Sequence, residues 1–202
     1  MNIIGHTKER KYLESILQRK NISQSYLFLG PESIGKECIA FQFACMLVGE
    51  SDFRSSGDKP TPLDVRILEP EIVVRRGVTR KKTLGVLSVK EELRILKTSP
   101  GIGQYKVLIV RDAHLLTQAS QNLLLKFSEE PDATAIVIFV THERGGLLET
   151  LCSRLEEVRF RFVPEETLKK EGESLGLEVS ADIPDFFFQL GRPGILLQAK
   201  EN

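Results

Sequence analysis

Short apolar runs alternate with amphipathic segments along most of the chain. Residues 26–29, 106–110 and 135–140 are almost entirely apolar, which is typical of strands buried on both faces of a parallel sheet. Segments between them, such as residues 36–48, carry apolar side chains at the three- and four-residue spacing of a helix. The alternation predicts an α/β fold with a parallel sheet flanked by helices.

Residues 49–85 have a weaker pattern. Residues 64–68 and 72–74 indicate short strands, and residues 75–82 contain five basic side chains and no acid. Such a cluster either faces DNA, because lysine and arginine displace counterions from phosphates, or forms the solvated tip of a hairpin. We favour the hairpin. Beyond it, residues 88–97 predict a helix that begins at Ser88, with Glu91 completing a capping box.

A domain boundary is predicted at Val163-Pro164. Proline suits the first position of a helix, and Glu165-Glu166 suit its first turn. We therefore divide the chain into a first domain of residues 1–163 and a small helical lid of residues 164–202. So short a lid is expected to pack on the first domain rather than to fold alone.

Composition limits the function classes only modestly. The 202 residues contain 28 basic and 28 acidic side chains, so net charge gives no evidence for a nucleic-acid or membrane partner. No apolar run approaches the ~20 residues that cross a bilayer, and the first residues lack a signal-peptide pattern. We expect a cytoplasmic protein. Its three cysteines have no close pair, which argues against a disulfide framework and against a zinc site.

The most informative motif is an altered phosphate-binding loop between a predicted strand and helix. Gly30, Gly35 and Lys36 keep the G-x-x-x-x-G-K frame, in which backbone amides surround a phosphate and the lysine contacts it. The next position should be serine or threonine, whose hydroxyl holds Mg²⁺, but it is Glu37. The cradle and the lysine are present, whereas the metal ligand is replaced.

The strand at residues 106–110 carries a second alteration. In nucleotide-hydrolysing folds such a strand ends in an aspartate that helps to hold Mg²⁺; here Arg111 occupies that position and Asp112 follows one residue late. One alternative is that Glu37 and Arg111 form an ion pair that fills the metal position. The other is that Arg111 points to solvent and Glu37 simply lies on the first helical turn, where the helix dipole favours an acidic side chain. We expect no metal or cofactor, and at most weak ATP or ADP binding.

Several segments together resemble the bacterial DNA polymerase III clamp-loader subunits, and the delta-prime type most of all, because that type often carries a damaged nucleotide site. The resemblance extends from about residue 3 to 200, and residues 117–131 are its most specific part. The segments that carry it are residues 3–6, 25–36, 63–65, 69–71, 117–131 and 151–154.

The resemblance implies an AAA+ fold, with a five-stranded parallel sheet and a small lid. It also implies a hetero-oligomeric ring with gamma/tau and delta subunits that places a sliding clamp on primed DNA in DNA replication. In that ring Arg154, within the Ser-Arg motif, would be an arginine finger for a neighbour's ATP, so this subunit would assist catalysis without hydrolysing ATP itself. The alternative is a nucleotide-binding ATPase or switch of the gamma type.

Other positions depart from the family pattern. Thr141 and His142 lie near a residue that senses the γ-phosphate in relatives, whereas Ile195 stands where the lid normally has an arginine. The family's four-cysteine zinc module and helical collar are not in this sequence, so we do not expect stable ring assembly by this chain alone. His114 and His142 have no nucleophile or ligand partner visible in the sequence, and we expect neither to be catalytic.

Overall fold

A computed structural model of the chain describes residues 3–49, 61–75, 77–101, 103–129, 134–173 and 186–195. Strands and helices alternate, as the apolar pattern predicted. In chain order the elements are α1 (Thr7–Arg19), β1 (Ser25–Leu29), α2 (Lys36–Val48), β2 (Val65–Leu68), β3 (Ile72–Arg75), β4 (Val78–Lys81), α3 (Val86–Leu96), β5 (Lys106–Val110), a 3-10 helix (Ala113–Leu115), α4 (Gln118–Glu129), β6 (Ala135–Thr141), α5 (Glu149–Cys152), β7 (Glu156–Arg159), α6 (Glu165–Glu173) and α7 (Phe186–Gln189).

Five strands form one sheet in the order β2-β5-β6-β1-β7, and every neighbouring pair is parallel. The predicted five-stranded parallel sheet is therefore confirmed. All seven residues of β6 are buried, since this strand lies in the middle of the sheet. Because the strands are parallel, the segments that follow β1, β5 and β6 lie along one edge of the sheet, which is where α/β proteins commonly bind ligands.

Each face of the sheet has its own hydrophobic core. On one face, Phe28 and Ile138 of the sheet pack with Phe43 of α2. On the other, Leu27 and Val137 belong to a cluster that includes side chains of α3 and α4. Successive strand residues point to opposite faces, so a strand buried on both sides reads as one continuous apolar run.

The segment between β2 and β5 holds one confirmed and one wrong prediction. β3 and β4 form an antiparallel hairpin, and β4 is exposed throughout, as the hairpin alternative for the basic residues predicted. Helix α3 begins at Val86 rather than Ser88, so the predicted capping box is wrong. Ser88 lies within the first helical turn, where its Oγ donates to the carbonyl oxygen of Gly85 at 2.9 Å.

The segment after β7 contacts the phosphate loop. The Val163 amide donates to Gly191 O at 2.9 Å, and the Gly194 amide donates to Ser33 O at 2.8 Å. The division of the chain at residues 163 and 164 stays a prediction. Among the described helices, none has the length and apolar character needed to cross a membrane.

Candidate nucleotide-binding site

The phosphate loop joins the end of β1 to the first turn of α2, as its sequence frame predicted. Gly30 passes so close to Phe160, the residue after β7, that a Cβ atom at Gly30 would lie 2.4 Å from Phe160 O. Gly35 has φ +98°, a left-handed conformation that favours glycine, and it turns the chain into α2. Both glycines are thus required by the backbone path, whether or not a phosphate binds.

Lys36 is folded back onto its own loop. Its Nζ donates to Pro31 O at 2.5 Å, and the residue is only 6% exposed. Burial lowers the pKa of Lys36 to about 8, although the nearby carboxylates of Glu32 and Asp112 act in the opposite direction. A lysine held in this way keeps its reach toward a phosphate, but it must leave the Pro31 carbonyl to make that contact.

Glu37 and Arg111 form a direct ion pair, which confirms the first of the two alternatives for these side chains. A second carboxylate, Glu69, accepts from the same guanidinium at 2.5 Å. The pair lies where the first turn of α2 meets the end of β5, the two elements that supply Mg²⁺ ligands in phosphate-loop enzymes. A fixed cation at this position opposes the binding of a second one.

Asp112, Thr141 and His142 follow β5 and β6 at the same sheet edge. The Asp112 carboxylate is paired with Lys81 of β4 at 2.6 Å. Thr141 is 2% exposed, and its hydroxyl holds the turn that follows β6 by bonding both the amide and the carbonyl of Glu143. His142 Nδ1 lies 3.2 Å from Glu32 Oε1 of the phosphate loop.

His114, which the sequence left without a partner, lies beside His142. The ring centroids are 4.3 Å apart and the rings are inclined at 66°. Burial and the neighbouring His142 lower the pKa of His114, so its neutral form is favoured. The sequence showed no partner for either histidine, because only the 3-10 helix after β5 and the end of β6 bring the two together; that neither is catalytic stays a prediction.

A cavity of about 460 Å³ lies between the phosphate loop and the ends of β5 and β6. Its lining includes the predicted site residues Gly35, Lys36, Glu37, Asp112, Thr141 and His142. Gly30 and Arg111 are not part of the lining: Gly30 lies against Phe160, and Arg111 is paired with Glu37. The remaining lining residues are Glu32, Ser33, Cys38, Lys81, Val140 and Gly194. Of these, Lys81 could not be assigned from sequence, since only the fold of the hairpin brings it to Asp112.

Arg154 is separate from this cavity. It follows α5, and its guanidinium donates to Thr150 O at 2.9 Å and to Glu129 Oε1 at 3.1 Å. The side chain is 43% exposed. It does not contribute to the chain's own candidate site.

The family model described as "DNA polymerase III, delta subunit" matches residues 5–164. The chain belongs to this family. It is a member of the DNA polymerase III clamp-loader proteins, as the sequence motifs predicted. The match covers all five strands of the sheet and every residue that lines the cavity except Gly194.

Individual clamp-loader relatives agree with this assignment. The chain is 30% identical over 179 residues to the gamma/tau subunit of Mycobacterium tuberculosis, a match covering 83% of this chain and 29% of the relative. It is 27% identical over 164 residues to the delta' subunit of Bacillus subtilis, covering 75% of this chain and 46% of the relative. The chain thus spans less than half the length of either relative.

The fold of the chain also resembles the folds of solved structures. A DNA polymerase III gamma subunit-related protein from Thermotoga maritima superposes with a TM-score of 0.60 at 22% identity. The superposition covers 94% of this chain and 57% of that protein. At this level of identity the likeness shows the fold alone, and that fold is AAA+.

Proposed function

We propose that this chain acts as a delta-prime-like subunit of the DNA polymerase III clamp loader that does not hydrolyse ATP. In this role it would hold gamma/tau and delta subunits in a hetero-oligomeric ring that loads the sliding clamp onto primed DNA during replication. The observation that carries the proposal is the ion pair between Glu37 and Arg111. Family membership indicates the complex in which the chain would act, and the ion pair is the reason for proposing a non-hydrolysing role.

The physical argument concerns charge at the metal position. In phosphate-loop enzymes a hydroxyl and a carboxylate hold Mg²⁺, which neutralises charge that develops on the transferred phosphoryl group. Here an arginine takes the place of the aspartate and is already bonded to Glu37 and Glu69. A Mg²⁺ ion would have to displace the guanidinium from two carboxylates and then bind without the usual hydroxyl. Without the metal, turnover at this site is not expected.

We further propose that Arg154 serves as an arginine finger for the ATP of a neighbouring subunit. Its side chain is partly exposed, away from the chain's own cavity, and paired with the exposed Glu129. An exposed ion pair is worth only about 0–1 kcal/mol, so exchanging Glu129 for a phosphate costs little. An arginine supplied in trans needs no working nucleotide site of its own.

A gamma-type nucleotide-binding switch is the second candidate. Lys36 and the glycines of the loop are retained, and gamma/tau subunits are among the relatives at 30% identity. This candidate predicts ATP binding that Mg²⁺ strengthens and that is accompanied by turnover. The proposed delta-prime-like role predicts neither.

Nucleotide titration with and without Mg²⁺ separates the two, using the wild type and the double variant Glu37→Thr/Arg111→Asp. The double variant restores both metal-ligand types, and we expect it alone to show Mg²⁺-dependent ATP binding. Fluorescence anisotropy of a labelled ATP analogue measures the affinity, and circular dichroism checks that both proteins are folded. Micromolar, Mg²⁺-dependent binding with turnover by the wild type would refute the proposal.

A further inference from the structure

Two imidazoles and a carboxylate meet at the sheet edge beside the phosphate loop. Asp112 precedes the 3-10 helix, His114 lies within it, and His142 follows β6. One ligand atom from each of the three lies within 4.8 Å of the other two. We call these residues the Asp-His-His cluster. The proposed clamp-loader role makes no use of its two histidines.

We propose that the Asp-His-His cluster is a binding site for a divalent transition metal of the zinc class. The ligand set distinguishes it from the altered Mg²⁺ position. Mg²⁺ prefers oxygen ligands in octahedral geometry, whereas imidazole nitrogen suits zinc and its neighbours in the first transition row. Two imidazoles with one carboxylate match a three-ligand zinc site that keeps a fourth position for water.

The hydrogen bonds around His114 select the tautomer that binds a metal. The Thr141 hydroxyl donates to Glu143 O at 2.9 Å, so its single proton is already used. Its oxygen must therefore accept from His114 Nδ1, which lies 3.1 Å away. With the proton on Nδ1, Nε2 of His114 carries the lone pair that a metal needs.

His142 also has an oxygen neighbour. Its Nδ1 lies 3.2 Å from Glu32 Oε1, so the carboxylate favours a proton on Nδ1, and with the proton there Nε2 carries the lone pair. Histidine ligands of zinc commonly donate their second nitrogen to a carboxylate or another oxygen, which fixes the ring and strengthens its basicity. The ring of His114 thus has a hydrogen-bonded oxygen partner, and the ring of His142 has a carboxylate oxygen close to its Nδ1.

The carboxylate of Asp112 uses one of its two oxygens in an ion pair. Lys81 binds Oδ2 of Asp112 at 2.6 Å, which leaves Oδ1 for a metal. Ligand atoms around zinc lie about 3.4 Å apart, given metal–ligand distances of about 2.1 Å, so distances of up to 4.8 Å within the cluster must shorten by up to about 1.4 Å. His142 is 32% exposed, and rotation of its side chain can supply that movement.

The test is Zn²⁺ binding to the tag-free, chelator-stripped chain, measured by competition with a chromogenic chelator. Four proteins are compared: wild type, His114→Asn, His142→Asn and the control Cys38→Ser, which removes a partly exposed thiol lining the same cavity. We expect one Zn²⁺ per chain, with about tenfold or greater weakening in each histidine variant and no change in the control. Millimolar Mg²⁺ should not compete.

A Co²⁺ spectrum adds a readout that does not depend on affinity. Nitrogen and oxygen ligands give visible d–d bands without the near-ultraviolet band of thiolate-to-metal charge transfer. His142 is exposed, so its variant should fold even if His114→Asn does not. Wild-type affinity retained in His142→Asn, a thiolate band that disappears in Cys38→Ser, or no binding by the wild type would each overturn the proposal.

Discussion

Replacing Lys36 by methionine should stabilise the folded chain at neutral pH. The lysine is 6% exposed, and burial lowers its pKa from 10.5 to about 8. One pKa unit corresponds to about 1.4 kcal/mol between protonation states, so keeping the ammonium charged in the folded protein costs about 3 kcal/mol. Methionine is a similarly long, uncharged side chain, but it loses the hydrogen bond to Pro31 O, which contributes about 1 kcal/mol. The expected net gain is about 2 kcal/mol at pH 7.

The pH dependence of this gain follows from the direction of the pKa shift. Because the folded-state pKa of Lys36 lies below the unfolded-state value, the unfolded wild type binds more protons between pH 8 and pH 10.5. Wild-type stability therefore rises with pH across that window. By about pH 9.5 the wild type recovers about 2 kcal/mol, so the advantage of Lys36→Met should disappear there.

Urea denaturation at pH 7 and pH 9.5 measures the effect, with Lys90→Met as the matched control. Lys90 lies on the exposed side of α3, so its replacement should change stability by less than about 0.5 kcal/mol at either pH. At pH 7 the Lys36 variant should also melt about 4–8 °C higher than the wild type. Unchanged or lower stability at pH 7, or a gain that persists undiminished at pH 9.5, would refute the reasoning.

Two further predictions concern the arginine finger and the contact between the C-terminal segment and the phosphate loop. Arg154→Ala should lower the ATPase rate of a reconstituted clamp-loader ring. The control Arg144→Ala removes another exposed arginine that is paired with a glutamate, and it should leave the rate unchanged. Equal rates for both variants would contradict the proposed role of Arg154. Gly194→Ala places a Cβ 2.7 Å from Ser33 O and should cost about 1–3 kcal/mol by denaturation, while Gly145→Ala, whose nearest neighbour lies at 3.7 Å, should be near neutral.

The sheet and the Glu37–Arg111 pair could be predicted because local sequence fixes both. Apolar runs place the strands, and the motif frame places Glu37 on the first turn of a helix and Arg111 at a strand end. Two positions that are fixed relative to one metal ion in a known geometry must lie near each other. The structure brings these two side chains into direct contact.

Contacts between distant segments could not be predicted in this way. His114 meets His142, and Lys81 meets Asp112, only because two loops and a hairpin converge at one sheet edge. Nothing in the local sequence of any of these residues encodes its partner.

The start of α3 was wrongly predicted for a tertiary reason. Leu84 forms a parallel bridge with Leu116. Its amide donates to Leu115 O at 2.9 Å, and its carbonyl accepts from the Thr117 amide at 3.1 Å. This pairing holds the chain extended up to Gly85, so the helix begins immediately afterwards. A serine with a glutamate three residues later is a good capping signal, but backbone pairing upstream decided the boundary.

The hydrogen bonds of the phosphate loop support a positional role for this subunit. Donors from three separate parts of the chain hold three of its carbonyl groups: Lys36 Nζ on Pro31 O, the Gly194 amide on Ser33 O and His6 Nε2 on Ile34 O. The bonds from Gly194 and His6 contribute about 1 kcal/mol each, or about 2 kcal/mol together, whereas the bond from Lys36 is outweighed at neutral pH by the cost of burying its charge. A ligand present at a hundred times its dissociation constant stabilises a protein by a similar amount, about 2.7 kcal/mol. The chain's own donors therefore stabilise the loop by a free energy comparable to that of a bound nucleotide, which supports the proposed role, in which this surface would keep its conformation without ATP hydrolysis.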